Sequence, residues 1–173
     1  MNSYYYLVSS LPSLYCDAPM PFTYDKFLDM CKDSVDGNTF EILRNLDFNT
    51  DKGSFFRKWN AFYGKLKNRT DFLRNSKIGK QTDAEEDRDS FIDSVAEAAM
   101  NAENPLIAEQ ILLKAQFDFL DSLVAMHYFD STVLYGYALK LKLLERQSLF
   151  EQTKGKKEFE RLFTSIQKQI YEI

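Results

Sequence analysis

The groups that could do chemistry in this 173-residue chain are few, and their spacing argues against a catalytic centre. The one histidine, His127 in AMHYFD, has no nucleophile and no metal ligand at useful spacing. It reads as a structural residue at a helix end, bonded to a carbonyl there. The acidic run EEDRD sets Asp89 on one helix face with Asp93, but it lacks the glycine turn and alternating oxygens of a calcium loop. Acids at a helix start answer the macrodipole, which is the simpler account. Cys16 and Cys31 lie far from C-x-x-C spacing, and two cysteines make no disulfide framework, so both read as buried, reduced thiols.

Two Gly-Lys pairs invite a nucleotide-binding reading and fail it. In SKIGKQT a phosphate loop would need glycine where Arg74 stands and Ser or Thr where Gln81 stands; in TKGKKEF the corresponding glycine is Phe150. Both read as helix stops with lysines near the carbonyl end. The basic stretch from Arg57 to Lys80, interleaved with Phe55, Phe56, Trp59, Phe62 and Tyr63, has the composition of a nucleic-acid stripe. Its aromatics fall on one apolar face, however, and the net charge of −4 opposes binding by bulk charge. No catalytic residue, cofactor, metal or small-molecule substrate is expected, and nucleic acid is disfavoured.

The elements that would position any site are helical throughout. Tyr4, Leu7 and Leu11 recur at helical spacing and Pro12 ends the turn, so YYYLVSSLP reads as a short core helix rather than an export signal or an anchor. A loop runs from Ser13 to Pro21. Thr23 caps a helix bearing Phe27, Met30 and Cys31, and a second short one carries Phe40, Leu43 and Leu46. A long helix from Phe55 to about Leu73 has an apolar face and a basic one formed by Arg57, Lys58, Lys65, Lys67, Arg69 and Arg74, with Gly79 as its stop. An acidic segment follows, apolar at Phe91, Ile92, Val95 and Ala99. The opposed charges predict an antiparallel hairpin of these two helices. Asn104-Pro105 starts another helix. Asp130-Ser131 caps the strongest helix, from Thr132 to about Thr153 (VLYGYALKLKLLERQSLFEQ), which Gly155 stops before a last helix from Lys156 to Ile173. No stretch alternates with period two. The fold class is all-α: residues 1–173 form a single helical bundle of about seven to eight helices, with no transmembrane span.

Tyr5, Tyr6, Tyr128, Tyr135, Tyr137 and Tyr171 cannot all be buried with their hydroxyls satisfied. Tyrosine is favoured where proteins meet, and the balance points to a binding or scaffold protein.

Three blocks carry a family resemblance: YYYLVSSLPSL, NPLIAEQILLKAQFDFLDSL and HYFDSTVLYGYALKLKLLERQSLFEQTKGKKEF. In order and across nearly the whole chain, they resemble a bacterial family usually encoded among the genes of a V-type (A/V-type) ATP synthase. That family is similar in turn to the C subunit (d in eukaryotic V-ATPases), an all-helical funnel that couples the rotor shaft to the membrane ring. The present chain is about half the length of that subunit.

The resemblance implies a non-catalytic V-type ATPase subunit or accessory protein at the central stalk. Its partners would be the central-stalk and membrane-ring subunits, and it would be cytoplasmic, held at the inner membrane only through the complex. The expected contact residues are Tyr5 and Tyr6 of the opening helix, with Tyr135, Lys140, Lys142 and Arg146 on an exposed flank of the long helix. Two alternatives stand beside it: a transient assembly or regulatory factor of the ATPase, and a nucleic-acid or protein adaptor using the Arg57–Lys80 face.

Overall fold

The computed structural model describes residues 4–80, 89–148 and 161–164. Seven helices follow in order: α1 (Tyr5–Ser10), α2 (Tyr24–Lys32), α3 (Gly37–Arg44), α4 (Ser54–Lys77), α5 (Ser90–Met100), α6 (Pro105–Val124) and α7 (Ser131–Ser148). Residues 161–164 add a helical turn, and there is no strand among the described residues. The expected stop at Gly155, Tyr171 and most of the Lys156–Ile173 helix lie outside the described residues. No described helix is long and apolar enough to cross a membrane.

The helix starts follow from side chains that satisfy otherwise orphaned backbone N–H groups. Thr23 accepts from Lys26, Asp36 from Thr39, Asp89 from Phe91 and Ile92, Asn104 from Ile107, and Asp130 from Thr132 and Val133. Gly79 ends α4 at φ 72°, a left-handed turn that side-chain-bearing residues resist. The described part of SKIGKQT, residues 76–80, is thus a helix stop, and Lys77 Nζ donates 2.5 Å to the Met100 carbonyl.

α7 is the centre of the molecule. Leu134, Tyr135, Ala138, Leu139, Leu141, Leu143 and Leu144 are all buried, and at 100° per residue they surround the whole helix. α6 and α7 form an antiparallel hairpin, in which Lys140 reaches Asp121 and Gly136 meets Val124. A Cβ on Gly136 would stand 2.7 Å from Val124 Cγ1, so the missing side chain lets the helices close. Gly136→Ala should therefore destabilise by about 1 kcal/mol despite the better helix propensity of alanine. In a Val124→Ala background the sign should reverse, which urea midpoints of the two pairs would read directly.

The expected hairpin of α4 and α5 is corrected in direction. The two helices do lie side by side, with Arg69 Nε 2.6 Å from Asp93 Oδ1. Lys77, two turns further along α4, reaches Met100, two turns further along α5, so the pair runs in the same sense. The antiparallel partner of both is α6. It joins α5 through the short turn 101–104, and its Phe119 ring stacks on Phe62 of α4 with centroids 3.9 Å apart. The expected pair of neighbours is present; its direction goes with the packing of three helices. Arg69 is corrected as well. It is 6% exposed, so the basic face of α4 is interrupted at its middle.

Candidate protein-docking surface

The backbone N–H of Tyr4 donates 2.8 Å to the carbonyl of Phe129, which fixes the start of α1 against the α6–α7 turn. The Tyr4 phenol donates to Asp36 Oδ2, and Thr39 Oγ1 donates to the same oxygen at 2.8 Å. The Tyr4 hydrogen bond first, then the backbone and side-chain bonds of Thr39, hold the Asp36 carboxyl well below the usual carboxylate range. A group whose folded pKa is depressed contributes stability above its unfolded value and loses it as pH falls below. The parent chain should therefore lose stability below about pH 4, where an unfolded aspartate takes up its proton. Asp36→Asn should lack that step. Urea midpoints of both chains at pH 6, 4 and 3 test it.

On this anchored base the next residues point outward. The Tyr5 ring meets Phe129 edge-on at 4.7 Å and Tyr6 at 5.5 Å. Exposure is 88% for Tyr6, 87% for Met126, 73% for Tyr128 and 52% for Tyr5. With aromatic side chains of 150–250 Å² each, the exposed apolar surface is on the order of 600 Å², at the top of what monomeric proteins leave uncovered. A groove of about 440 Å³ lies between the α1–Tyr15 segment and the α6–α7 hairpin. Val8, Leu11, Val124 and Val133 line it together with the Asp121–Lys140 pair.

His127 differs from expectation. Its ring Nδ1 lies 2.6 Å from Asp130 Oδ2, while its backbone N–H, not its ring, reaches the Val124 carbonyl. Burial opposes the charge on Asp130, yet the His127 bond and the backbone bonds from Val133 and Thr132 keep that carboxyl depressed. Its position is explained by capping α7.

The expected contact residues divide. Tyr5 and Tyr6 are on the patch, and Lys140 lines the groove. Tyr135 is corrected: it is buried, because α7 is covered on every side, and its ring packs against Phe56 at 5.0 Å. Lys142 is half-buried, its ammonium 4.1 Å from the centroid of the Tyr24 ring. Arg146 is half-buried and donates 3.2 Å to the Tyr63 hydroxyl. It borders a second, smaller cleft of about 260 Å³ between α4 and α6. These side chains form no common flank. Sequence reasoning missed Met126 and Phe129, although aromatic residues inside a turn, off any apolar period, are themselves a signal of surface function.

Among the described residues no cluster of three His, Cys, Asp or Glu could hold a metal ion. Cys31 is fully buried and burial pushes its thiol up to about 12, which leaves it an unreactive core group. Compared with known proteins, the chain matches no family model, no curated protein and no solved structure.

Proposed function

We propose that this chain is a non-catalytic subunit or accessory protein of a V-type (A/V-type) rotary ATPase, docking at the central stalk between rotor shaft and membrane ring. The observation that carries the reading is where the resembling blocks meet. YYYLVSSLPSL supplies Tyr5 and Tyr6, HYFDSTVLYGYALKLKLLER supplies Tyr128 and Phe129, and these residues share the apolar end. Two of the blocks that resemble the ATPase-associated family thus supply the aromatic residues of this surface. An all-helical bundle with α7 enclosed at its centre also suits a part that transmits force by stiffness rather than by chemistry. On this reading the protein is cytoplasmic and reaches the membrane only through the complex.

Native mass spectrometry of the ATPase purified from source membranes tests it. A stoichiometric chain of 20.2 kDa leaving together with rotor subunits is the expected result. Recovery well below stoichiometry would favour a transient assembly factor. Complete absence from an otherwise intact ATPase would overturn the reading.

A further inference from the structure

The geometry points to the cleft between α4 and α6 as a binding site for a small phosphate monoester that carries a hydroxyl group. The site owes nothing to the apolar end of the molecule, and its failure would leave the ATPase reading where it stands.

The first observation is a buried amide with nothing to hold. Gln116 lines the cleft and is 4% exposed, yet its Oε1 has no hydrogen-bond partner among the described residues. A buried acceptor left unpaired lowers stability, and native chains satisfy nearly all such groups. Methionine would fill the same space on α6 without that penalty. The hydroxyls beside it are engaged elsewhere: Thr70 donates to the Leu66 carbonyl at 2.7 Å, and Tyr63 accepts from Arg146 at 3.2 Å. A hydroxyl on a bound ligand would supply the missing donor.

The second is the placement of charge. Phe62 stacks on Phe119 where α4 and α6 pass antiparallel, so a rise of about 1.5 Å per residue sets the register along the cleft. Gln116 lies about 5 Å from that stack, level with Leu66 and Lys67. Glu109 lies about 10 Å further on, between Asp71 and Arg74. That far end is mixed in sign, since Arg74 pairs with Asp71 at 3.4 Å and Glu109 stands beside them. The Gln116 end is not mixed. Lys67 of α4 and Arg146 of α7 border it, and neither pairs with a carboxylate among the described residues. The contacts of Arg146 are the Tyr63 hydroxyl and the Phe48 ring, both neutral. The acids of the far end are about a Debye length away, so they offset these two cations little.

The third is shape. A compact ammonium and a planar guanidinium on different helices suit the three terminal oxygens and double charge of a phosphate monoester better than a single carboxylate. The cleft, at about 260 Å³, falls just below the range of pockets for drug-sized ligands, so the body attached to the phosphate is small. Leu66 and Leu112 give its carbon atoms an apolar wall.

The test titrates the full chain with glycerol phosphate, ribose phosphate and inorganic phosphate, read by calorimetry and by the side-chain amide signals of an isotope-labelled sample. At least one monoester should bind saturably, about tenfold more tightly than inorganic phosphate, and move the Gln116 amide signal. Lys67→Ala, at an exposed position and so neutral to folding, should weaken that binding about tenfold. Gln116→Met should remove the preference over inorganic phosphate and raise the urea midpoint.

Inorganic phosphate bound as tightly as both monoesters would mean an adventitious ion only. Saturable binding that Lys67→Ala leaves unchanged would put the site elsewhere. No saturable binding, or a lower urea midpoint for Gln116→Met, would make the amide a structural group met by water. Each of these overturns the inference. Retention on phosphatidic acid vesicles with no binding of either soluble monoester would make the source a lipid headgroup and overturn it too.

Discussion

Trp59→Ala should destabilise the chain by about 3–5 kcal/mol, a large share of the 5–15 kcal/mol that holds a domain of this kind together. Trp59 is fully buried in α4, stacked on Tyr63 with centroids 5.3 Å apart and 6.3 Å from Phe62. Removing the indole leaves a cavity that the two neighbouring aromatic rings cannot collapse into without leaving their own contacts. Trp59→Phe separates volume from polarity. The indole Nε1 finds no hydrogen-bond partner among the described residues, so exchanging it for phenylalanine removes a desolvated donor together with the lost volume. The phenylalanine variant should cost only about 1–2 kcal/mol. Urea denaturation of the three chains measures both steps. Equal losses for alanine and phenylalanine would mean that the indole N–H is satisfied in solution.

Asp93→Ala is the second large effect, and it comes from what is left behind. Arg69 is buried, with Nε 2.6 Å from Asp93 Oδ1 and Nη2 3.8 Å from Glu97 Oε1, while Nη1 has no partner among the described residues. Taking away Asp93 strands a buried guanidinium with only the half-exposed Glu97 nearby. We expect a loss of about 3 kcal/mol, at the low end for a broken buried pair because Asp93 itself keeps some contact with water. Glu97→Ala should cost under about 1 kcal/mol. The paired replacement Arg69→Met with Asp93→Leu removes both charges and should stay within about 1 kcal/mol of the parent. A double variant as unstable as Asp93→Ala would show that the pair itself, and not the stranded charge, carries the energy.

These two sites differ in how far the sequence discloses them. Trp59 lies on the apolar stripe with Phe55, Phe62 and Leu66, and its burial follows from helical spacing alone. Arg69 was equally legible and misleading by type. It stands seven residues after Phe62 and three after Leu66, inside that stripe, while Asp93 and Glu97 stand one turn apart on the next helix. Its position predicts burial where its charge suggests exposure. The caps Thr23, Asn104 and Asp130 marked helix starts because capping is a local affair of three residues. Helix direction is not local. The turn 101–104 forces α5 and α6 into a hairpin, whereas the longer stretch between α4 and α5 permits either sense, and α6 decides it. Tyr135 was misplaced for a related reason, since only the assembled bundle shows that α7 is enclosed. Half of the candidate surface was visible in YYYL; the other half required Phe129 to be brought to Tyr4.

That juxtaposition has a consequence for synthesis. The Tyr4–Phe129 bond and its companion, the Tyr137 hydroxyl donating to the Pro12 carbonyl, each join groups 125 residues apart. At about 5–20 residues per second, the α1 segment leaves the ribosome roughly 6–25 s before anything exists for it to close against. During that interval three consecutive tyrosines, Leu7 and Val8 are presented to solvent as an unpaired apolar segment. The α1 segment should thus be a client for a holding chaperone once it emerges, released only when the α6–α7 turn follows. A product truncated before that turn would keep α1 exposed.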